Sequence, residues 1–302
     1  MTELVTVEDR DAVLHAVLHR PAVEPERRVG VLFATMEFNA KAGPHRLYYR
    51  VAQALANAGF YALRFDYRGT CDSPGLHEVT FADRLADVRA ATAFFRKEYR
   101  LEAVVGWGLC MGGMVALHTS ASKNSDERPD ALILCEILAD PAKVSLPKYG
   151  TKRVEVGTVA REMFFDGNLL RKLWQAPKKL HIYRQSLPKI AARLIQRYRA
   201  RDPELERFRA AIARVGTLLA EYPGPCLLVF AEKPGLLEKF RERVNPGDRL
   251  GLAKKAVPPE WLLVKDADHV FATRDHAAEV IRKTVEWVEQ FQHQYLPRPV
   301  HS

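Results

Sequence analysis

The run Gly108-Leu109-Cys110-Met111-Gly112 sets a thiol between an apolar stretch that reads as a buried strand, Ala103–Trp107, and a following helix. So sharp a strand-to-helix turn forces its central residue into a strained backbone conformation, and small residues two before and two after it are needed to avoid clashes. A thiol at the start of a helix faces the positive end of the helix dipole and loses its proton more readily, which suits a nucleophile that acts as thiolate. Cys110 is therefore the candidate nucleophile, and the Met111 N–H is one half of a candidate oxyanion hole. The other half would come from Thr35 or Met36, at the end of the apolar run Val29–Thr35. Without chemistry, the same five residues are a tight turn around a structural cysteine.

A thiol nucleophile needs a base, and ten histidines are present. Only His269 lies just after the last expected strand and before the last expected helix, within Asp266-Ala267-Asp268-His269-Val270-Phe271. His15, His19, His118, His276, His293 and His301 read as structural. His45, in the loop Gly43-Pro44-His45-Arg46, and its neighbour Arg46 are candidates for substrate contact. The acid that would orient His269 has three candidate seats. Glu136 ends an apolar strand, where a carboxylate needs a partner, and it is favoured. Glu232 lies in the loop Ala231-Glu232-Lys233-Pro234-Gly235, where a proline occupies the position expected for an aspartate, and Asp140 is third. Asp266 and Asp268 read as loop hydrogen-bonders.

These residues must be held by a scaffold, and the apolar pattern supplies one. Val5–Val7 and Val13–Leu18 read as an antiparallel edge pair. The strand Val29–Thr35, helix Leu47–Ala58, strand Tyr61–Phe65, helix Phe81–Arg96 and strand Ala103–Trp107 then alternate, which implies a mainly parallel sheet. After the strand Ala131–Glu136 the alternation stops for roughly 85 residues. It resumes with Cys226–Ala231 and Trp261–Lys265 and closes with the helix Ala277–Phe291. The expected architecture is an α/β-hydrolase fold, a mostly parallel sheet with helices on both faces. Residues 1–140 and 223–302 form its core, and 141–222 form a helical cap inserted after the sixth strand.

The net charge of +9 is concentrated in that cap, where 18 Lys and Arg stand against 7 Asp and Glu. Such an excess would attract an anionic substrate or carrier, such as an acyl group borne on coenzyme A or an acyl carrier protein. Its plainer reading is a solvated basic surface. Contact with an anionic membrane surface is a weaker option, and no nucleic-acid motif is present. Four cysteines without CxxC spacing indicate neither a zinc site nor a disulfide framework. With no long apolar run and an acidic, unsignal-like start, a cytoplasmic protein without cofactor or metal is expected.

Three stretches, HRLYYRVAQALANAGFYALRFDYRGTCDSPG (45–75), GWGLCMGG (106–113) and ADHVF (267–271), resemble the exosortase A system-associated hydrolases, a bacterial α/β-hydrolase family. The resemblance implies that Cys110 and His269 are nucleophile and base. The family pattern has an aspartate where this chain has Pro234, and an asparagine-like position where it has Glu136, so the resemblance implies that the acid has migrated. The expected activity is acyl hydrolysis or transfer on an ester, thioester or lactone through a Cys-His-acid triad and a thioester intermediate. The alternative is a non-catalytic homologue that binds a ligand or partner; slow alkylation of Cys110 at neutral pH would mark it.

Overall fold

The computed structural model describes residues 1–9, 12–36, 40–75, 79–138, 203–243 and 245–296. By contact the chain separates into one unit made of Met1–Ala142 with Phe208–Ser302 and a second, Lys143–Arg207. Asp140 and the greater part of the basic segment, up to 202, lie outside the described residues, whereas Phe208–Tyr222 groups with the sheet.

Eight strands form one sheet in the order β1-β2-β4-β3-β5-β6-β7-β8. They are β1 (Thr2–Asp9), β2 (Ala12–His19), β3 (Val29–Ala34), β4 (Tyr61–Phe65), β5 (Ala103–Leu109), β6 (Ala131–Cys135), β7 (Cys226–Ala231) and β8 (Glu260–Val264). The β1–β2 and β2–β4 pairs are antiparallel, and the others are parallel. The central strands β3 to β7 are buried at every position, which is why they read as unbroken apolar runs. At the edge, β1 is largely exposed and reaches further than the Val5–Val7 core of its pattern.

The described α-helices are α1 (Leu47–Asn57), α2 (Phe81–Glu98), α3 (Met111–Thr119), α4 (Pro203–Ala213), α5 (Val215–Glu221), α6 (Leu236–Arg243) and α7 (Arg274–Tyr295). One core cluster joins Val51 and Leu55 of α1 and Val280, Trp287 and Phe291 of α7 to inward residues of β3, β5, β6 and β7. Across it, the Trp107 indole on β5 donates to Thr284 Oγ1 of α7 at 3.3 Å. Helix α2 starts at a capping box, in which Thr80 accepts from the Asp83 N–H and the Asp83 carboxylate accepts from the Thr80 N–H. Among the described residues no helix is long and apolar enough to cross a membrane.

The glycines after and before Cys110 fix how closely these layers meet. A Cβ on Gly112 would strike the carbonyl of Ala34 on β3, and one on Gly108 would strike the Gly112–Gly113 backbone. Neither neighbour is a flexible side chain that could yield. Gly112→Ala should therefore lower stability by roughly 3 kcal/mol or more, read by denaturant unfolding, and should displace the Ala34–Thr35 backbone next to the turn. A stability within 0.5 kcal/mol of the parent, about the level of a neutral surface change, would contradict this packing.

Candidate active site

The parallel register aligns the ends of β3, β5 and β6: Ala34 pairs with Gly108, and Leu109 with Cys135. Thr35, Cys110 and Glu136 are the residues next after β3, β5 and β6, so the carboxyl ends of these neighbouring strands carry all three. Cys110 adopts φ 55° and ψ −115°, outside the regions ordinary side chains prefer, and its N–H donates to the Cys135 carbonyl at 2.8 Å. Such a conformation costs on the order of 1–3 kcal/mol and persists only where the surroundings impose it. Here the ladder to β6 and the glycine contacts impose it. Met111 opens α3, where the first N–H groups have no partner within the helix.

Glu136 also has a positive φ, 52°, and its N–H donates to the Val229 carbonyl at 2.8 Å, so the chain turns sharply as it leaves β6. The turn directs a fully buried carboxylate, 0% exposed, to two donors. Oε1 accepts from the Ala231 N–H at 2.6 Å, and Oε2 meets His269 Nδ1 at 2.8 Å. A buried carboxylate is tolerated because both oxygens are engaged.

His269 is carried by a loop that is itself tied down. Asp268 Oδ1 accepts from the N–H groups of Ala272 and Val270 at 2.9 and 3.2 Å, bonds that lower its carboxyl pKa. Asp266 N–H donates to Glu232 Oε2 at 2.9 Å, and Lys233 N–H to the Ala267 carbonyl at 3.1 Å. Glu232 thus fastens the histidine loop by its backbone, and Glu136 is the carboxylate in contact with the imidazole. Burial lowers the His269 pKa, but hydrogen bonds to Cys110 and Glu136 and their negative charge outweigh it and lift the value to about 10. With Nδ1 on Glu136, Nε2 is the nitrogen left for Cys110. The structure therefore brings Cys110, His269 and Glu136 together.

Thr35 and Met36 lie directly after β3, and the Thr35 carbonyl accepts from the Tyr67 hydroxyl at 3.2 Å. Residues 37–39 lie outside the described ones. His45 and Arg46 occupy an exposed turn with φ of 47° and 60° before α1. Arg46 sits over the Tyr49 ring at 4.6 Å, and His45 is near enough to Asp268 to help lower its pKa. Among the described residues neither makes a hydrogen bond to Cys110, His269 or Glu136.

Sequence reasoning missed the clamp on the loop leading to that turn. Lys41 Nζ bonds Asp66 Oδ2 at 2.6 Å and also Asp72, and its N–H donates to Asp66 Oδ1 at 2.6 Å. Arg64 donates to the Lys41 carbonyl at 2.6 Å and to the buried His19 Nε2 at 2.9 and 3.1 Å. Burial, and then the Arg64 charge, press His19 down to about 4, so it stays a neutral acceptor at neutral pH. The DYRGxxDSxG run contained Asp66 and Asp72, but nothing in it pointed to Lys41.

Among curated proteins none matches this chain in sequence. Solved structures match over nearly its whole length. A dienelactone hydrolase from Anabaena variabilis is 13% identical, with 97% of each chain covered and a TM-score of 0.57. An esterase from Pyrococcus furiosus is 15% identical, with 97% of this chain and 91% of that one covered and a TM-score of 0.59. Est1E from Butyrivibrio proteoclasticus, with ferulic acid bound, is 15% identical over 95% and 98%, with a TM-score of 0.57. At such identities the likeness is one of fold. A family model described as the alpha/beta hydrolase family matches residues 38–283, from just after β3 into the last helix, and the chain belongs to that family.

Proposed function

We propose that this α/β-hydrolase is a cysteine-nucleophile acyl hydrolase or acyltransferase acting on an ester, thioester or lactone. The observation that supports the reading is a thiol on a strained elbow set against a histidine whose Nδ1 is held by a fully buried carboxylate. Cys110 gives its proton to His269 and attacks the acyl carbon as thiolate. The oxyanion is held by the N–H groups of Met111 and of Thr35 or Met36. On collapse, His269 returns the proton to the departing alcohol or thiol, leaving the acyl group as a thioester on Cys110. Water or another acceptor, deprotonated by His269, then attacks the thioester and regenerates the thiol.

A thioester favours amine and thiol acceptors over water more than an ester does, so transfer stands beside hydrolysis. The dienelactone hydrolase and the esterase among the structural neighbours are in keeping with lactone and ester substrates. Pro234 standing where an aspartate is expected favours the non-catalytic alternative, and the Glu136 carboxylate on His269 Nδ1 supports the catalytic reading against it. Four free cysteines, two of them buried, fit a reducing compartment such as the cytoplasm. The test is a panel of activated esters, lactones and acyl thioesters with product release followed over time. Catalysed release from at least one class is expected; release from none at high enzyme concentration would overturn the assignment.

The basic excess of 141–222 fits an anionic carrier, coenzyme A or an acyl carrier protein. kcat/KM for an acyl-coenzyme A should then fall about tenfold between roughly 20 and 300 mM salt, while a neutral mimic of the same acyl group changes little. Equal sensitivity of the two would leave the charge as solvation alone.

A further inference from the structure

Thr35, where the chain leaves β3, and Lys41, where it approaches α1, are both tied to one short stretch, residues 64–67 at the end of β4. The Tyr67 hydroxyl donates to the Thr35 carbonyl at 3.2 Å. The Lys41 N–H donates to Asp66 Oδ1 at 2.6 Å and the Lys41 carbonyl accepts from Arg64 Nη1 at 2.6 Å, so side chains take both main-chain groups of one loop residue. The Lys41 ammonium closes on the same carboxylate, at Oδ2, at 2.6 Å. On either side, the Ala40 carbonyl accepts from the Gly43 N–H at 2.8 Å and the Ala42 carbonyl from the Tyr49 N–H at 3.2 Å, which engages three successive carbonyls. Arg64, Asp66 and Tyr67 are buried, as is His19, which receives the remaining Arg64 nitrogens.

Charged groups are costly to bury, and a loop needs none of them merely to turn. A buried polar network whose members are all satisfied holds the backbone it touches in one arrangement. The backbone held here is the one that leaves β3 beside the elbow. Ala34 pairs with Gly108, and a Cβ on Gly112 would lie 3.0 Å from the Thr35 carbonyl oxygen, so Thr35 is packed against the start of α3. A donor to an oxyanion is effective when it is fixed before the charge develops. We infer that Lys41, Asp66 and Tyr67 are positioning residues, which tie Thr35 and Lys41 to the exit of β4 and so fix the second oxyanion donor, the N–H of Thr35 or Met36. They act through the backbone and touch no substrate. The inference rests on the acyl-transfer reading of Cys110.

The experiment compares two reactions of the same thiol, one that needs an oxyanion hole and one that does not. Acylation by p-nitrophenyl acetate, read as nitrophenolate released in the first turnover, passes through a tetrahedral oxyanion. Alkylation by iodoacetamide, read by peptide mass spectrometry, forms the S–C bond at a saturated carbon as iodide leaves, and no oxyanion develops. The variants are Lys41→Met, which removes the ammonium from Asp66, and Tyr67→Phe, which removes the hydroxyl from Thr35; each tests the inference if the other fails to fold. Losing an oxyanion donor outright costs about 100- to 1,000-fold, so a displaced one should slow acylation roughly 10- to 100-fold in Lys41→Met and roughly three- to tenfold in Tyr67→Phe. The ester concentration giving half the maximal rate should change little, and Cys110 alkylation should stay within about twofold of the unsubstituted chain. Acylation as fast as in the unsubstituted chain in a folded variant, or acylation and alkylation slowed by the same factor, would overturn the inference and leave the acyl-transfer reading standing. Alkylation of Cys110 without any nitrophenolate release in the unsubstituted chain would overturn that reading, and the inference with it.

Discussion

Replacing Cys110 by alanine should lower turnover at least about 1,000-fold while the protein stays folded. The fold survives because the strain at this position lies in the backbone, and alanine is smaller than cysteine and loses no hydrogen bond made by the Cys110 N–H to Cys135. Activity is lost because the nucleophilic atom set against His269 is gone. Cys135 and Cys226 are buried with thiols pushed up by desolvation, and Cys71 is exposed on another loop with its thiol also raised. Alanine at Cys71 should cost no activity, and at Cys135 or Cys226 it should cost chiefly stability. Retention of more than a few per cent of turnover in Cys110→Ala, measured with two different esters, would rule this nucleophile out.

Glu136→Gln should reduce kcat by about 1,000- to 10,000-fold with the fold preserved. Glutamine keeps a carbonyl oxygen for the Ala231 N–H, so one of the two buried bonds survives. Its amide then faces His269 Nδ1 with N–H groups, which favours the tautomer that carries its proton on Nε2 and removes the acceptor that Cys110 needs. Glu136→Ala adds a structural cost of about 1–3 kcal/mol, since the Ala231 N–H is left buried and unpaired. Glu232→Gln should cost far less activity, because that side chain bonds the Asp266 backbone.

The same pair sets a pH dependence. A folded-state pKa of about 10 against an ordinary 6.5 means that the His269 contribution to stability is complete below 6.5 and is lost as pH rises through about 10. The alkaline limb of kcat/KM should follow it, because the imidazolium is the acid that protonates the leaving group. In Glu136→Gln, with one of the two raising partners gone, both limbs should move to lower pH. Limbs that stay in place, with kcat nearly unchanged, would show that Glu136 is not the orienting acid.

What could be read from the sequence divides along physical lines. The elbow was legible because its glycines are demanded by backbone contacts, which leave no choice of residue. Glu136 was legible because a carboxylate closing an apolar strand has no solvated explanation, and the turn at φ 52° shows where it goes. The central strands were legible because both faces are covered. Residue β1 ends were not, since an exposed edge strand needs no apolar alternation to stay paired. Lys41, Arg64 and His19 were hidden because their bonds join residues 23 to 45 positions apart, and only the strand order β2-β4-β3 brings them together.

The central claim is that an acyl group passes through a covalent bond to Cys110. Intact-protein mass spectrometry during rapid mixing with an activated ester or acyl thioester, followed by peptide mapping, tests it most directly. The predicted result is a mass increase equal to one acyl group, located on the peptide carrying Cys110, formed and discharged at rates that match turnover and absent from Cys110→Ala. Steady turnover with no adduct on Cys110, or with an adduct of equal amount in Cys110→Ala, would contradict the account.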